Sequence, residues 1–313
     1  MEKIRAYYPS GTEKIIHRSK SGHVYRLDAI DQPVRIKDGL LVDPRFEVVD
    51  ISRSDDSVLF QTHSKELINS YRTGQPIELA QSSGLLWQND FYPWVVNKAW
   101  ATIEAVKEAV ANGRSIAITS GGHHAEFEHG RGFGPISNMV IAAKELLAKE
   151  VVKKIAILDL DVHYANGTHS QVVGESRILS CDIWKYKLPY WKFTPNARNI
   201  YHTKVDNKKE YFEALDLMFE RIDGFKPELL FFYNGLDPLS NDRMGGVKDF
   251  GENELFERNK LVSSFIEKNN LPVCVFMGGG YIDYSKPNEQ VEKDKTHLTE
   301  LFIKSTASVF DLV

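Results

Sequence analysis

Cysteine is scarce in this chain: two in 313 residues, Cys181 and Cys274, each inside an apolar run. Neither stands in a CxxC pair or in a Cys/His spacing suited to zinc, so both read as reduced core thiols. No apolar stretch approaches the ~18 residues of a membrane helix. The amino-terminal MEKIRAYYPSGTEKIIHRSKSG has no hydrophobic core of a secretory signal. A cytoplasmic protein without a membrane partner is the expectation. A strong charge of one sign is missing as well. Lys+Arg 39 against Asp+Glu 43 gives a net charge of -4 and a pI near 6.2, no basis for a general nucleic-acid binder. There is no internal repeat, no low-complexity tract, and neither the GxGxxG of a dinucleotide fold nor the GxxxxGK[ST] of a phosphate loop.

What remains is an ordinary globular composition, 42% hydrophobic and 26% charged, in a chain long enough to bury a substantial core. Short apolar or β-branched runs alternate with longer amphipathic ones. Strands are expected at 46–50, 115–120, 154–161, 177–181, 228–234 and 272–278. Helices are expected near 64–71, 95–112, 138–150, 208–223, 252–268 and 295–308. The alternation predicts an α/β fold, a mainly parallel sheet covered by helices on both faces. Segments 17–37 and 283–296 read as surface loops, and the aromatic, proline-punctuated 183–198 as a rim loop. No composition break divides the chain, so residues 1–313 read as one domain.

Unusual chemistry gathers where these strands end, the place where open parallel sheets bind ligands. The run DLDVHYANGTHS (159–170) sets Asp159, Asp161 and His163 on alternate residues, which on a continued strand would share one face. Two acids that close repel unless a cation or paired hydrogen bonds offset them. Asp161, His163 and Asp237 can supply oxygen and nitrogen ligands to a first-row metal with a position left open; alternatively, the acids cap helices or pair with Arg or Lys. His123-His124, between Gly121-Gly122 and Ala125-Glu126, can present two imidazoles to one reacting centre, or form a turn with one ring buried and one wet. GGGY (278–281) allows close backbone approach and frees Tyr281 to donate its hydroxyl to an oxyanion; as a bare Gly-rich turn it would only let a helix pack.

Together and in this order, GHHAE (122–126), GFGPISNMVIAAK (132–144), DLDVHYANGT (159–168), NGLDPLSND (234–242) and GGGY resemble the histone deacetylase superfamily. This arginase-like fold also contains the acetylpolyamine amidohydrolases, and HSKELINSY (63–71) is similar to the family's early His-Ser helix. The resemblance implies a three-layer α/β/α architecture of the arginase/deacetylase type. It implies catalytic Zn2+ (or iron in its place) on Asp161, His163 and Asp237, with His123 and His124 as the tandem histidines. Tyr281 would polarise the scissile carbonyl, and Gly132, Phe133 and Gly279 would line an acyl-lysine tunnel. Asp159 would buttress His123 and, with Ser180, hold a structural K+ or Na+.

Asn166 stands where part of the family has Asp. A neutral partner raises the basicity of His124 less than Asp159 raises that of His123, which makes His124 the neutral base and His123 the cationic helper. The sequence departs from the family at Ala165, and at Thr119-Ser120-Gly121 in place of Pro-Pro. The second tunnel aromatic falls to Tyr190 or Trp191, and the rim acid to Asp90. The implied activity is zinc-dependent hydrolysis of an acylated amine, either acyl-lysine in a protein or peptide or a small N-acyl amine such as an acetylpolyamine. Competing readings are an arginase-type or phosphoesterase metal site, whose further ligand sets are missing here, and an acyl-group binding protein without turnover.

Overall fold

The computed structural model describes residues 3–18, 24–189 and 191–312. The chain runs β1 (Ile4–Pro9), β2 (His17–Arg18), β3 (Val24–Tyr25), α1 (Asp28–Val42), β4 (Phe46–Ile51), α2 (Lys65–Thr73), α3 (Ile77–Ala80), α4 (Phe91–Asn112) and β5 (Arg114–Ser120). It continues through α5 (Asn138–Ala148), β6 (Ile155–Asp159), α6 (Asn166–Val172), β7 (Ile178–Trp184), β8 (Ile200–Lys204), α7 (Lys208–Phe225), β9 (Leu229–Asn234), α8 (Glu252–Asn269), β10 (Val273–Met277) and α9 (Asn288–Val309). Eight strands form one sheet in the order β4-β1-β5-β10-β9-β6-β7-β8. Every pairing in it is parallel. β2 and β3 pair separately.

Both faces of the sheet are covered, so the central strands β6, β9 and β10 are buried along their length and apolar almost throughout rather than alternating. Ile155, Ile157, Phe231 and Phe276 point to one face, against Val95 and Ala99 of α4 and Met139 of α5. Ala156, Leu158, Phe232 and Val275 point to the other, against Leu215 of α7, Val262 of α8 and Phe302 of α9. This is the expected three-layer α/β/α fold. Cys181 and Cys274 are free and buried. No helix among the described residues is long and apolar enough to cross a membrane.

Four local readings need correction. Segment 17–37 is not all loop: α1 starts at Asp28, and its polar composition and internal Pro33 hide the stripe Ile30, Ile36 and Leu40, each at most 1% exposed. Segment 283–296 contains the start of α9 at Asn288, whose first turns bury only Val291. Strands β1 and β8 have no counterpart in the sequence reading, because their short runs are broken by Arg5, His202 and Lys204. Finally, β6 ends at Asp159. Asp161 and His163 therefore do not continue its pleat; the chain turns, with Asp161 N–H donating to Asp159 Oδ1 (3.1 Å) and His163 N–H to Asp161 Oδ1 (2.9 Å).

Candidate active site

The four strands that carry the polar tips are neighbours at the centre of the sheet, in the order β5-β10-β9-β6. The chain places β5, leaves a gap, builds β6 to β8 toward one edge, then fills the gap with β9 and β10. Loops 121–126, 160–166, 235–242 and 278–281 thus leave the same end of adjacent strands. A larger hollow of ≈ 400 Å³ lies by Gly113, Arg114, Asn270 and Pro272, but its lining holds no histidine and one carboxylate, Glu267. The chemistry is at the other end.

Asp161, His163 and Asp237 converge there. His163 Nδ1 lies 2.9 Å from Asp161 Oδ1 and 3.0 Å from Asp237 Oδ2. One ligand atom from each of the three residues falls within 4.8 Å of the others. The spare oxygens are held by backbone: Gly279 N–H donates to Asp161 Oδ2 (2.7 Å) and Val162 N–H to Asp237 Oδ1 (3.1 Å). Glycine is required at 279, because a Cβ there would stand 2.4 Å from Asp237 Oδ2 and 2.8 Å from Asp161 Oδ2. Beneath this loop Arg258, fully buried, donates to Gly235 O (2.7 Å) and to Asn234 Oδ1. Two carboxylates and an imidazole Nδ1 aimed at one point fit zinc or another first-row ion.

The electrostatics fit a cation as well. Burial pushes the Asp237 carboxyl far above the carboxylate range, and the neighbouring Asp161 pushes it further. Burial also opposes the charge on Asp161, but His123 and His163 outweigh it and hold that carboxyl well below its ordinary value. Two acids this close cannot both ionise readily without positive charge between them. Burial, then Asp161 and Asp237, push the Tyr281 phenol well up, so it stays a proton donor. Its ring stands edge-on to His163 with centroids 5.9 Å apart. Tyr281 N–H donates to Asp242 Oδ2 (2.7 Å), which fixes the backbone behind the phenol.

The tandem histidines occupy the same hollow. His123 Nδ1 lies 2.9 Å from Asp159 Oδ2, and its Nε2 3.9 Å from Asp161 Oδ1. His124 Nδ1 lies 2.8 Å from Asn166 Oδ1. Burial opposes protonation of both rings, but Asp159 and Asp161 overcome it at His123, whose pKa is raised. At His124 burial is reinforced by His123 and His163, and the pKa falls well below the imidazole range. Tyr233 lies against His123 (4.8 Å between centroids) and Trp191 against His124 (4.1 Å). Trp191 was one of two candidates for an aromatic near the site; the other, Tyr190, lies outside the described residues.

Gly132 and Phe133 both adopt left-handed backbone (φ 54 and 61). A Cβ on Gly132 would meet His124 Cδ2 at 2.2 Å, so this turn packs directly on the second imidazole. Gly122, His123, Gly132, Gly279 and Tyr281 share a small cavity of ≈ 30 Å³ with Gln32 of α1. His63 and Ser64 brace the same loop region from below: His63 accepts from Ser137 N–H (2.9 Å), and Ser64 N–H donates to Phe127 O (2.9 Å). Ser180 pairs in register with Ile157; opposite Asp159 stands Asp182. Asp90 is an exposed residue 3.5 Å from Lys14 Nζ. Asp182, Glu126 and Arg258 were not singled out from sequence. Glu126 lies within the GHHAE text, whereas nothing local marks Asp182 or Arg258.

The histone deacetylase domain profile matches residues 23–293. Histone deacetylase 2 of Arabidopsis thaliana is 26% identical over 265 residues, covering 80% of this chain and 67% of that protein. Histone deacetylase HDA1 of Saccharomyces cerevisiae is 25% identical over 307 residues, covering 85% of this chain and 42% of that protein. Much of the yeast relative therefore has no counterpart here. Among solved structures, an acetylpolyamine aminohydrolase from Burkholderia pseudomallei superposes with a TM-score of 0.75 at 15% identity, over 98% of this chain and 99% of that one. The HD domain of HDA15 gives 0.73 at 16% identity, over 99% and 93%. At these identities the structures establish the fold, while the profile spans most of the sequence, including all five quoted motifs: the chain belongs to the histone deacetylase domain family.

Proposed function

We propose that this chain is a zinc-dependent amidohydrolase that removes an acyl group, acetyl in the simplest case, from an acylated amine such as Nε-acyl-lysine. The observation that carries the reading is the meeting of His163 Nδ1 with both Asp161 and Asp237, with the rings of His124 and Tyr281 6.1 and 5.9 Å from that imidazole. The chemistry zinc supplies when bound is Lewis-acid polarisation of an acyl carbonyl and of an attacking water. His124, neutral and hydrogen-bonded through Nδ1, takes the proton from that water at Nε2. His123, held toward its protonated form by Asp159, places positive charge beside the developing oxyanion. Tyr281 donates its O–H to that oxygen, a contact worth ~3–4 kcal/mol in the transition state. The proton collected by the histidines goes to the leaving amine. Phe133 and Gly132 shape the channel for the arm that carries the acyl group.

A small N-acyl amine substrate is the second reading, supported by the end-to-end superposition on the acetylpolyamine aminohydrolase. For the monovalent cation we substitute Asp182 for Ser180. Asp182 Oδ1 is buried without a hydrogen-bond partner, and burial, then Asp159, push its carboxyl well up. Asp182, with Asp159, would hold K+ or Na+, whose charge would offset the buried carboxylates.

The test is release of acetate from an acetyl-lysine peptide and from an acetylated polyamine, with and without chelator. Chelator-sensitive release from either supports amidohydrolysis and separates the two substrate classes. No metal-dependent release from any acylated amine would leave an acyl-group binding protein.

A further inference from the structure

Asn166 is the neutral member of a shell that elsewhere uses carboxylates, and an amide, unlike a carboxylate, has two different ends. Its Oδ1 lies 2.8 Å from His124 Nδ1, while its Nδ2 donates to Glu126 Oε1 (2.9 Å) and faces His124 O (3.4 Å). A carboxylate and a carbonyl only accept. Turning the amide over would set its oxygen against both of those acceptors, and Glu126, the charged and closer one, contributes most to deciding which end of Asn166 reaches the imidazole. Oδ1 then accepts from Nδ1–H of His124, and the lone pair is left on Nε2. The reversed amide would donate to Nδ1 and drive the proton to Nε2, removing the base.

Glu126 is itself fixed. Its backbone N–H donates to His129 O (2.8 Å), and its carbonyl accepts from His63 Nδ1 (3.0 Å). His63 Nε2 accepts from Ser137 N–H, so the proton of that ring is on Nδ1. Glu126 Oε2 lies 3.1 Å from Arg131 Nε, an ion pair by distance, although that N–H is not aligned for a hydrogen bond. Arg131 directly precedes the Gly132–Phe133 turn that packs on His124. The carboxylate, the amide and the turn therefore form one connected clamp around the second imidazole.

We infer that Glu126 is a positioning residue for catalysis: through Asn166 it sets the amide orientation and hence the tautomer of His124. The inference rests on His124 as the base. Two readouts test it in the zinc-loaded full chain: kcat and KM on an acetyl-lysine peptide, and the histidine tautomer from 15N NMR. Glu126→Met removes the acceptor at similar volume, and Glu126→Gln retains one. The Met variant is expected to lose kcat by about tenfold or more, on the scale of lost acid–base function, with KM little changed and the His124 proton shifted toward Nε2. The Gln variant should stay within about threefold, because its Oε1 still takes the Asn166 N–H. In an Asn166→Asp background, whose two oxygens are equivalent acceptors, Glu126→Met should cost nothing. Equal losses from Glu126→Met in both backgrounds, or an unchanged Nδ1–H tautomer in Glu126→Met, would overturn the inference. The NMR readout needs no turnover, so an inactive wild type would count against the proposed reaction alone while the tautomer still decides the role of Glu126.

Discussion

Gly279→Ala tests the geometry of the donor cluster with a single methyl group. The added Cβ would stand 2.4 Å from Asp237 Oδ2 and 2.8 Å from Asp161 Oδ2. A comfortable non-bonded approach to carbon is about 3.5 Å, so Asp237 must retreat by ~1 Å. Metal sites tolerate about 0.2 Å. Misplacing a reacting group by ~1 Å costs about a hundredfold in rate. Gly279 does not use the left-handed backbone region, so alanine adds no backbone strain there and the methyl acts on the two carboxylates it meets. Zinc affinity is expected to fall by about 10–100-fold, the loss seen when the surroundings of metal ligands are disturbed, with the metal-free thermal midpoint close to wild type. Gly280→Ala is the control: its Cβ meets Leu236, Gln32 and Leu298 at 3.2 to 3.4 Å and no ligand oxygen. Zinc titration by a competing chelator gives the affinities and calorimetry the midpoints. Wild-type zinc affinity in Gly279→Ala would refute convergence of the two carboxylates on one ion.

Three further outcomes are expected. Tyr281→Phe should keep full zinc content by elemental analysis and lose kcat by about 10²–10³-fold, as when one oxyanion donor is removed; unchanged kcat rejects the donor role. Asp161→Ala and Asp237→Ala should each lose bound zinc, and full occupancy in both would reject them as ligands. Lys98 of α4 is 3% exposed, with Nζ 3.1 Å from Ser120 Oγ and 5.7 Å from the Trp94 ring. Burial lowers its pKa to about 7 from 10.5. The unfolded chain then binds the extra proton between those values, so this lysine's contribution is fully present above the unfolded pKa and is lost as pH falls toward about 7. At about 1.4 kcal/mol per unit over ~3.5 units, that loss is on the order of 5 kcal/mol. Lys98→Met should flatten the pH dependence of urea stability between about pH 7 and 10, and an unaltered slope would show that the ammonium is not desolvated.

Four of the five motifs are legible because each stands at the end of a short apolar run that reads as a buried strand, whereas GFGPISNMVIAAK leads into α5. Ile155–Leu158, Leu229–Tyr233 and Val273–Met277 are apolar without alternation, which marks them as interior strands whose tips share one end of the sheet. The resemblance then relates the tips to one another, which spacing alone does not do. Less legible are contacts made by register and by irregular chain. Asp182 meets Asp159 only because β7 aligns with β6 as Ile178 with Ile155; a shift of two residues would have brought Ser180 there instead. Trp191 reaches His124 from a loop with no period, and Glu126 finds Asn166 forty positions along the chain. Helix α1 was hidden by its own polar surface, yet it supplies Gln32 to the cavity wall.

Strand order also explains why these motifs are so far apart in sequence. β9 and β10 enter last, between β6 and β5. Asp237 and Tyr281 are therefore inserted between His163 and the tandem histidines rather than added at an edge. Arg258 locks that insertion: its guanidinium, buried with Asn234 and Asn259 as side-chain partners, ties α8 to the turn that leads into Asp237. Such long-range pairings form only after the loop entropy of the intervening chain has been lost. A partly folded chain with β5 and β6 in place would present Asp161 and His163 without the third donor. The complete donor set thus exists only when β6 and β9 stand side by side in the finished sheet, and no single segment of the chain carries it.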